Sequence, residues 1–169
     1  MTGWWRRNAA ALVTAGVLIP VTIAAIALHE RNDTGGSWQD SVVATGESLD
    51  YAGATVGPAT AEFVDDDAAP SGTRVVRVTV DIDPDPSAPI ACLTPQLRET
   101  EGRQREWDER SYELGRGFDE DLTSCASDRS TPYSMLLEYV VPDDAEGPFT
   151  VDVDAAAGWP VLARLRVQP

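Results

Sequence analysis

Apolar and polar positions follow two regimes along this chain. From Ala9 to Leu28 (AAALVTAGVLIPVTIAAIAL) twenty consecutive residues carry no charge, whereas from Trp38 onward apolar residues come in short alternating runs broken by Gly, Pro and Asp. The first regime predicts a helix without a polar face, about 30 Å long at 1.5 Å rise per residue, which matches the hydrocarbon thickness of a bilayer. Pro20 inside the run is compatible with this, because a membrane helix can re-satisfy the backbone groups that a proline frees. The second regime predicts strands, since side chains alternate between the faces of a sheet and a two-residue period marks a strand with one face on a core.

The strand pattern is clearest in Thr73–Asp83, where Val76, Val78, Val80 and Ile82 share one face and Arg77, Thr79 and Asp81 the other. A strand of this kind is expected at the centre of its sheet. Pro132–Val141 sets Tyr133, Met135, Leu137, Tyr139 and Val141 against Ser134, Leu136, Glu138 and Val140. Phe149, Val151 and Val153 alternate with Thr150, Asp152 and Asp154, and a closing strand from Val161 to Val167 turns Arg164 and Arg166 outward. Weaker patterns cover Gln39–Ala44, Glu47–Tyr51, Thr60–Val64 and a short strand ending at Trp107. In Ile90–Arg98 the parity puts Ala91, Leu93 and Leu97 on one face and Cys92, Thr94 and Gln96 on the other, turning Cys92 away from the core. Seven to nine strands at this spacing, with no second helix longer than a turn or two, predict an all-β, two-sheet antiparallel β-sandwich behind a single N-terminal transmembrane helix. The polar stretch Asp108–Thr131 interrupts the spacing and reads as a long excursion, of the sort that is functional or tied down.

Charge orients the apolar run. Trp4 and Trp5 suit the headgroup layer, Arg6 and Arg7 precede the run, and Glu30, Arg31 and Asp33 follow it, so the positive-inside rule puts the amino terminus in the cytoplasm. The expected organisation is a cytoplasmic terminus over 1–8, a transmembrane signal anchor over 9–28, a polar stalk over 29–37 and an extracytoplasmic sandwich over 38–169, located at the cell membrane. A cleaved signal peptide competes, because Ala25-Ile26-Ala27 has the small residues a signal peptidase reads, although the run is longer than the usual h-region. Setting Arg6 and Arg7 aside from the 13 basic residues leaves 11, all Arg, against 28 acidic, a formal −17 on the part outside the membrane. Such a surface repels nucleic acid and anionic headgroups and favours cationic partners.

The chain has two cysteines, Cys92 and Cys125, and an oxidising exterior favours joining them in one disulfide. That bond is expected to tie down the excursion rather than to cross the core. Catalytic chemistry finds no support: the single His29 lies beside the apolar run, so no histidine-based triad can form in the domain. Asp81, Asp83 and Asp85 have the first three spacings of a calcium loop, but Pro86 and Cys92 stand where its glycine and glutamate belong. A looser calcium site at Asp65-Asp66-Asp67 or Asp143-Asp144 stays open, and no cofactor is called for.

The order of features around Gly102 and Pro142 resembles the telokin-like, immunoglobulin-like extracellular domain of Gram-positive lipoproteins and membrane-anchored proteins. It is carried by Gly46-Glu47-Ser48-Leu49, by Ser71-Gly72-Thr73 entering the valine strand, by Leu97 through Glu101-Gly102-Arg103 to Trp107, and by Val140-Val141-Pro142-Asp143-Asp144-Ala145. The similarity spans about Val42 to Val167, and it implies an immunoglobulin-like sandwich whose role is extracytoplasmic binding or adhesion without catalysis. The cysteine pair and the long excursion depart from the simple pattern.

Two functional classes follow: a membrane-anchored module that binds an extracytoplasmic protein or cell-wall component, or an accessory subunit of a membrane complex. In the second, the small residues Ala9-Ala10-Ala11, Ala15-Gly16 and Ala24-Ala25 would let partner helices approach closely. Counting strand reversals outward from the membrane gathers Pro84–Pro89, Asp108–Thr131 and Ala155–Pro160 at a distal tip with the disulfide. The opposite end is expected to hold Asp65–Gly72, Thr100–Arg103 and Pro142–Pro148. The expected partner surface is that tip, with Asp85, Phe118, Asp119, Asp121 and Trp159.

Overall fold

The computed structural model describes residues 3–34, 39–43, 45–117, 123–125 and 127–169, without the side-chain surroundings of 4–7, 10, 11, 13, 15, 27–34 and 39–42. Phe118, Asp119 and Asp121 of the expected partner surface lie outside the described residues. The chain divides into two compact units, Met1–Ser37 and Trp38–Pro169.

The first unit is one helix, α1 (Gly3–Thr34), of 32 residues. Leu, Ile, Val and Ala on every side leave it without an amphipathic seam; among the described side chains Val17, Leu18, Ile19, Val21, Ile23 and Ile26 are all exposed. Pro20 lies inside the helix, and close by the Thr22 hydroxyl donates to the Leu18 carbonyl at 2.8 Å, a local bond that tolerates a helix bend. The polar residues His29–Thr34, expected as a stalk without regular structure, continue the helix instead. The physical reason is that no strong breaker interrupts the chain before Gly35-Gly36. Among the described residues, whose side chains in α1 are limited to positions 3, 8, 9, 12, 14 and 16–26, no helix is long and apolar enough to cross a membrane.

The second unit is a β-sandwich with nine strands among the described residues: β1 (Gln39–Val43), β2 (Leu49–Tyr51), β3 (Ala54–Val64), β4 (Thr73–Pro84), β5 (Gln96–Glu99), β6 (Glu106–Trp107), β7 (Tyr133–Pro142), β8 (Phe149–Val153) and β9 (Val161–Val167). They form a four-stranded sheet in the order β2-β3-β4-β7 and a five-stranded sheet in the order β1-β9-β8-β5-β6. All pairings are antiparallel except β1 with β9, which is parallel, so the expectation of wholly antiparallel sheets fails at that edge. The valine strand β4 is interior to its sheet, between β3 and β7.

The two-residue period explains the core directly. Val76, Val78, Val80 and Ile82 of β4 and Met135, Leu137, Tyr139 and Val141 of β7 are at most 1% exposed. They meet Leu97, Phe149, Val151, Val153, Ala163, Leu165 and Val167 from the other sheet in a single apolar cluster. Where a polar group enters, it is bonded: the Tyr139 hydroxyl donates to the Pro95 carbonyl at 2.9 Å, and burial pushes its pKa well above the ordinary tyrosine range.

One expectation fails in the approach to β5. Of the expected Ile90–Arg98 strand only residues 96–98 lie in a strand, β5, and its extrapolated parity is wrong: Leu93 is 70% exposed while Cys92 packs against the core cluster. Pro89 and Pro95 flank this segment, and a proline cannot donate to a sheet ladder. The chain therefore arrives irregularly, and the face each residue shows is set by the contacts at Cys92.

Candidate functional site

The end of the sandwich that holds the disulfide is assembled from four chain segments around Tyr51. Cys92 and Cys125 are joined, with Cα atoms 4.8 Å apart, and the Cys92 backbone pairs with both Cys125 and Ala155. The Leu93 N–H donates to the Asp154 carbonyl at 2.9 Å. The Tyr51 hydroxyl, at the end of β2, accepts from the Ala155 N–H at 3.0 Å and donates to the Ala155 carbonyl at 3.4 Å. Burial pushes the Tyr51 phenol above the usual range, with the Ala155 bond opposing. Gly158 lies flat on the same ring; a Cβ there would stand 2.3 Å from ring carbons, so this position admits no side chain without displacing Tyr51. The β4–β5 loop joins the group through the Asp85 N–H, which donates to the Gly53 carbonyl at 2.8 Å.

Asp85 and Trp159 are thus at the same end of the sandwich. Trp159, just past the 3₁₀ turn Ala156–Gly158, is 63% exposed, and Leu93 is a second large apolar side chain turned out at this end. The Asp85 carboxylate is engaged within its own loop. It accepts from the Ser87 N–H at 2.8 Å and the Ser87 hydroxyl at 2.7 Å, which together hold its pKa below the usual carboxylate range. These bonds stabilise the turn to which it belongs.

The excursion after β6 does not follow the expected route. Its described first half, 108–117, runs along β7 toward the opposite end: the Arg110 N–H donates to the Glu138 carbonyl at 2.7 Å, and the Arg116 guanidinium bonds the Glu138 carboxylate at 2.9 Å and also pairs with Asp66. Leu114 is buried, lining with Val140, Ala68 and Trp107 a groove of about 440 Å³ between the excursion and the sheets. Glu138 itself is 2% exposed because Arg77, at 2.8 Å, covers it from the neighbouring strand. Strand counting missed this because it assigns a loop to the end where it begins, whereas charge pairing with Glu138 draws this one across a sheet face. Cys125, bonded to Cys92, lies at the disulfide end.

At the opposite end Asp65–Gly72, Thr100–Arg105 and Pro142–Pro148 meet, with the Asp143 N–H donating to Gly72 at 3.2 Å and the Thr100 N–H to Pro148 at 3.1 Å. Several of their acidic residues are committed to arginines. Arg105 holds Glu99 in a two-pronged pair and Asp144 at 2.7 Å, while Asp66 is taken by the Ala68 N–H and Arg116. No group of three potential metal ligands forms among the described residues. The Arg105 bonds hold the Glu99 carboxyl below its ordinary value although burial opposes this. A depressed folded pKa contributes stability above the unfolded value and loses it as pH falls through the folded one. Glu99→Gln should therefore cost about 1–2 kcal/mol at neutral pH, and the gap from wild type should close below about pH 4, as read from urea midpoints at pH 7 and pH 3.

A feature of the sequence that alternation alone passed over lies on the outer face of the β1-β9-β8-β5-β6 sheet. Thr150 and Asp152 of β8 face outward yet are 1% and 7% exposed, so β8 is buried on both sides. They are covered by arginines from the flanking strands: Arg98 and Arg166 stand directly opposite Thr150, and Arg164 opposite Asp152. The outward positions Arg164 and Arg166 were legible from the pattern, but their convergence with Arg98 required the strand order.

No protein-family model matches the chain. No curated protein matches it either. Among solved structures, the chain is similar to the yjhA protein from Bacillus subtilis, at 8% identity and a TM-score of 0.47, covering 73% of this chain and 98% of that one. It is also similar to an uncharacterized β-sandwich protein from Clostridium difficile 630, at 13% identity and a TM-score of 0.41, covering 77% of this chain and 95% of that one.

Proposed function

We propose that this chain is a membrane-anchored, extracytoplasmic binding module with an immunoglobulin-like sandwich and no catalytic activity, which meets its partner through the disulfide end. The observation that carries the reading is the exposure of Trp159 and Leu93, 63% and 70%, on a frame fixed by the Cys92–Cys125 bond and the Tyr51–Ala155 hydrogen bonds. Rigid, solvent-facing aromatic and aliphatic anchors bind at low entropic cost. The anchor is supported by the uncharged run Ala9–Leu28, by apolar side chains exposed around α1, and by Arg6-Arg7 before the run. The disulfide supports an oxidising compartment. The partner is an extracytoplasmic protein or cell-wall component, and the acidic surface favours one with cationic groups.

Two measurements test this. Protease added to intact cells should cut the sandwich while alkaline extraction leaves the chain in the membrane fraction. A photo-crosslinking side chain at Trp159 should give a discrete adduct that one at Asp81, on the outer face of the other sheet, does not. Release of the sandwich by alkali would remove the anchor, and identical adduct patterns from both positions would remove the surface.

A further inference from the structure

We propose that the outer face of the β1-β9-β8-β5-β6 sheet is an anion site for a phosphate group, built from Arg98, Arg166 and the hydroxyl of Thr150. The proposal is independent of the anchor and of the disulfide end. Thr150 forms the floor of a depression of about 300 Å³ whose walls are Arg98, Thr100, Gln104, Arg164, Arg166 and Glu99, the last with its carboxylate already bonded on both oxygens by Arg105. Its Oγ1 is buried without a hydrogen-bond partner, and so is the Nε of Arg98, which lies 3.3 Å from Asp152 in ionic contact but without a hydrogen bond. A buried hydroxyl left unbonded is unfavourable, because it has given up water without gaining a partner in exchange.

The neighbouring charges show what remains available. Arg164 is engaged by Asp152, its Nε at 2.8 Å and its Nη2 at 2.9 Å. One end of Arg98 is held by Glu106 at 2.8 Å. Among the described residues Arg166 makes no ion pair, and it is exposed. Donors not satisfied by a hydrogen bond thus line one depression: Arg166 from one flank, Arg98 Nε, in ionic contact with Asp152, from the other, and Thr150 Oγ1 from below. Their excess of donors stands out on a domain, residues 38–169, with 10 Arg against 26 acidic residues and so a formal −16.

The geometry favours a tetrahedral oxyanion. Adjacent strands are about 4.8 Å apart, so Arg98 and Arg166 straddle Thr150 at a separation of about 9–10 Å, close enough for both guanidinium groups to bend over one ligand. Donors from two sides and the floor need acceptor oxygens in three directions. A carboxylate offers two in one plane, whereas a phosphate presents its oxygens tetrahedrally, three of them free in a monoester and two free beside two ester oxygens in a diester, and arginine's planar fork matches it.

The test uses the full chain in non-ionic detergent micelles, titrated calorimetrically with inorganic phosphate at ionic strength held constant with chloride. Saturable one-to-one binding is expected, at least fivefold weaker in Arg166→Gln. Arg110→Gln, which removes the same charge from the excursion beside β7 of the other sheet, where Arg110 pairs with Glu113, should bind as wild type does. Thr150→Val should also weaken binding while leaving the melting temperature unchanged or higher, because it removes the orphaned hydroxyl; a merely structural threonine would not separate the two readouts. Displacement by soluble glycerol phosphate would assign the site to a free ester, and displacement only by phosphatidylglycerol in mixed micelles would assign it to a lipid headgroup. Absence of saturable phosphate binding, or equal weakening by Arg110→Gln and Arg166→Gln, would overturn the proposal.

Discussion

Replacing Cys92 and Cys125 together by alanine should lower the unfolding free energy by about 3–4 kcal/mol, the loop-closure entropy of a bond between residues 33 apart. The loss should not be spread evenly. Cys92 pairs through its backbone with Cys125 and Ala155, and Ala155 is in turn the partner of the Tyr51 hydroxyl. Cutting the link therefore loosens the β8–β9 loop and the approach to β5 before it touches the cluster around Phe149. Urea denaturation gives the total, and hydrogen exchange gives the distribution. Protection should fall at Leu93 and Ala155, whose N–H groups bond across this end, and hold at Val78 and Leu137. A uniform fall across both sheets would mean that the bond acts on the core as a whole.

Glu138→Ala should cost about 3 kcal/mol, a value in the range for removing one partner of a buried pair. The carboxylate is the meeting point of Arg77 and Arg116 and is 2% exposed, so its loss leaves two guanidinium groups facing each other on one sheet. Arg116 would lose its side-chain tie to β7 and keep its pair with Asp66, with the Arg110 N–H bond to the residue 138 carbonyl still in place. Faster tryptic cleavage after Arg110 and Arg116 is the accompanying sign. Glu138→Gln should fall between wild type and alanine, since it keeps an acceptor but not the charge. If cleavage there is unaltered while stability drops, the excursion is held by Leu114 and the groove it lines rather than by the charge cluster.

Local order was legible where one physical rule acted alone. Burial on one face of a sheet imposes a two-residue period, so β4, β7, β8 and β9 emerge from Thr73–Asp83, Pro132–Val141, Phe149–Val153 and Val161–Val167 with bounds correct to within a residue or so. Where two rules compete, the pattern misleads. Ile90–Arg98 alternates well enough to suggest a strand, but the prolines and the Cys92 contacts prevail, and Leu93 turns to solvent. At His29–Thr34 polarity suggested a stalk, yet helix propagation costs little per residue until glycine intervenes.

By itself the sequence determined the β-sandwich class, the uncharged helical run and the one available cysteine pair, because each follows from period, length or count within a short stretch. Which residues meet across strands was decided only by the tertiary structure. Glu138 is buried because Arg77 lies beside it on β4 and Arg116 arrives from the excursion, and Thr150 is buried because Arg98 and Arg166 flank it in the sheet order. Partners 22, 50 or 61 positions apart leave no periodic trace in a single chain. Their attraction depends on distance and local dielectric, and both come into being only when the sheets have formed.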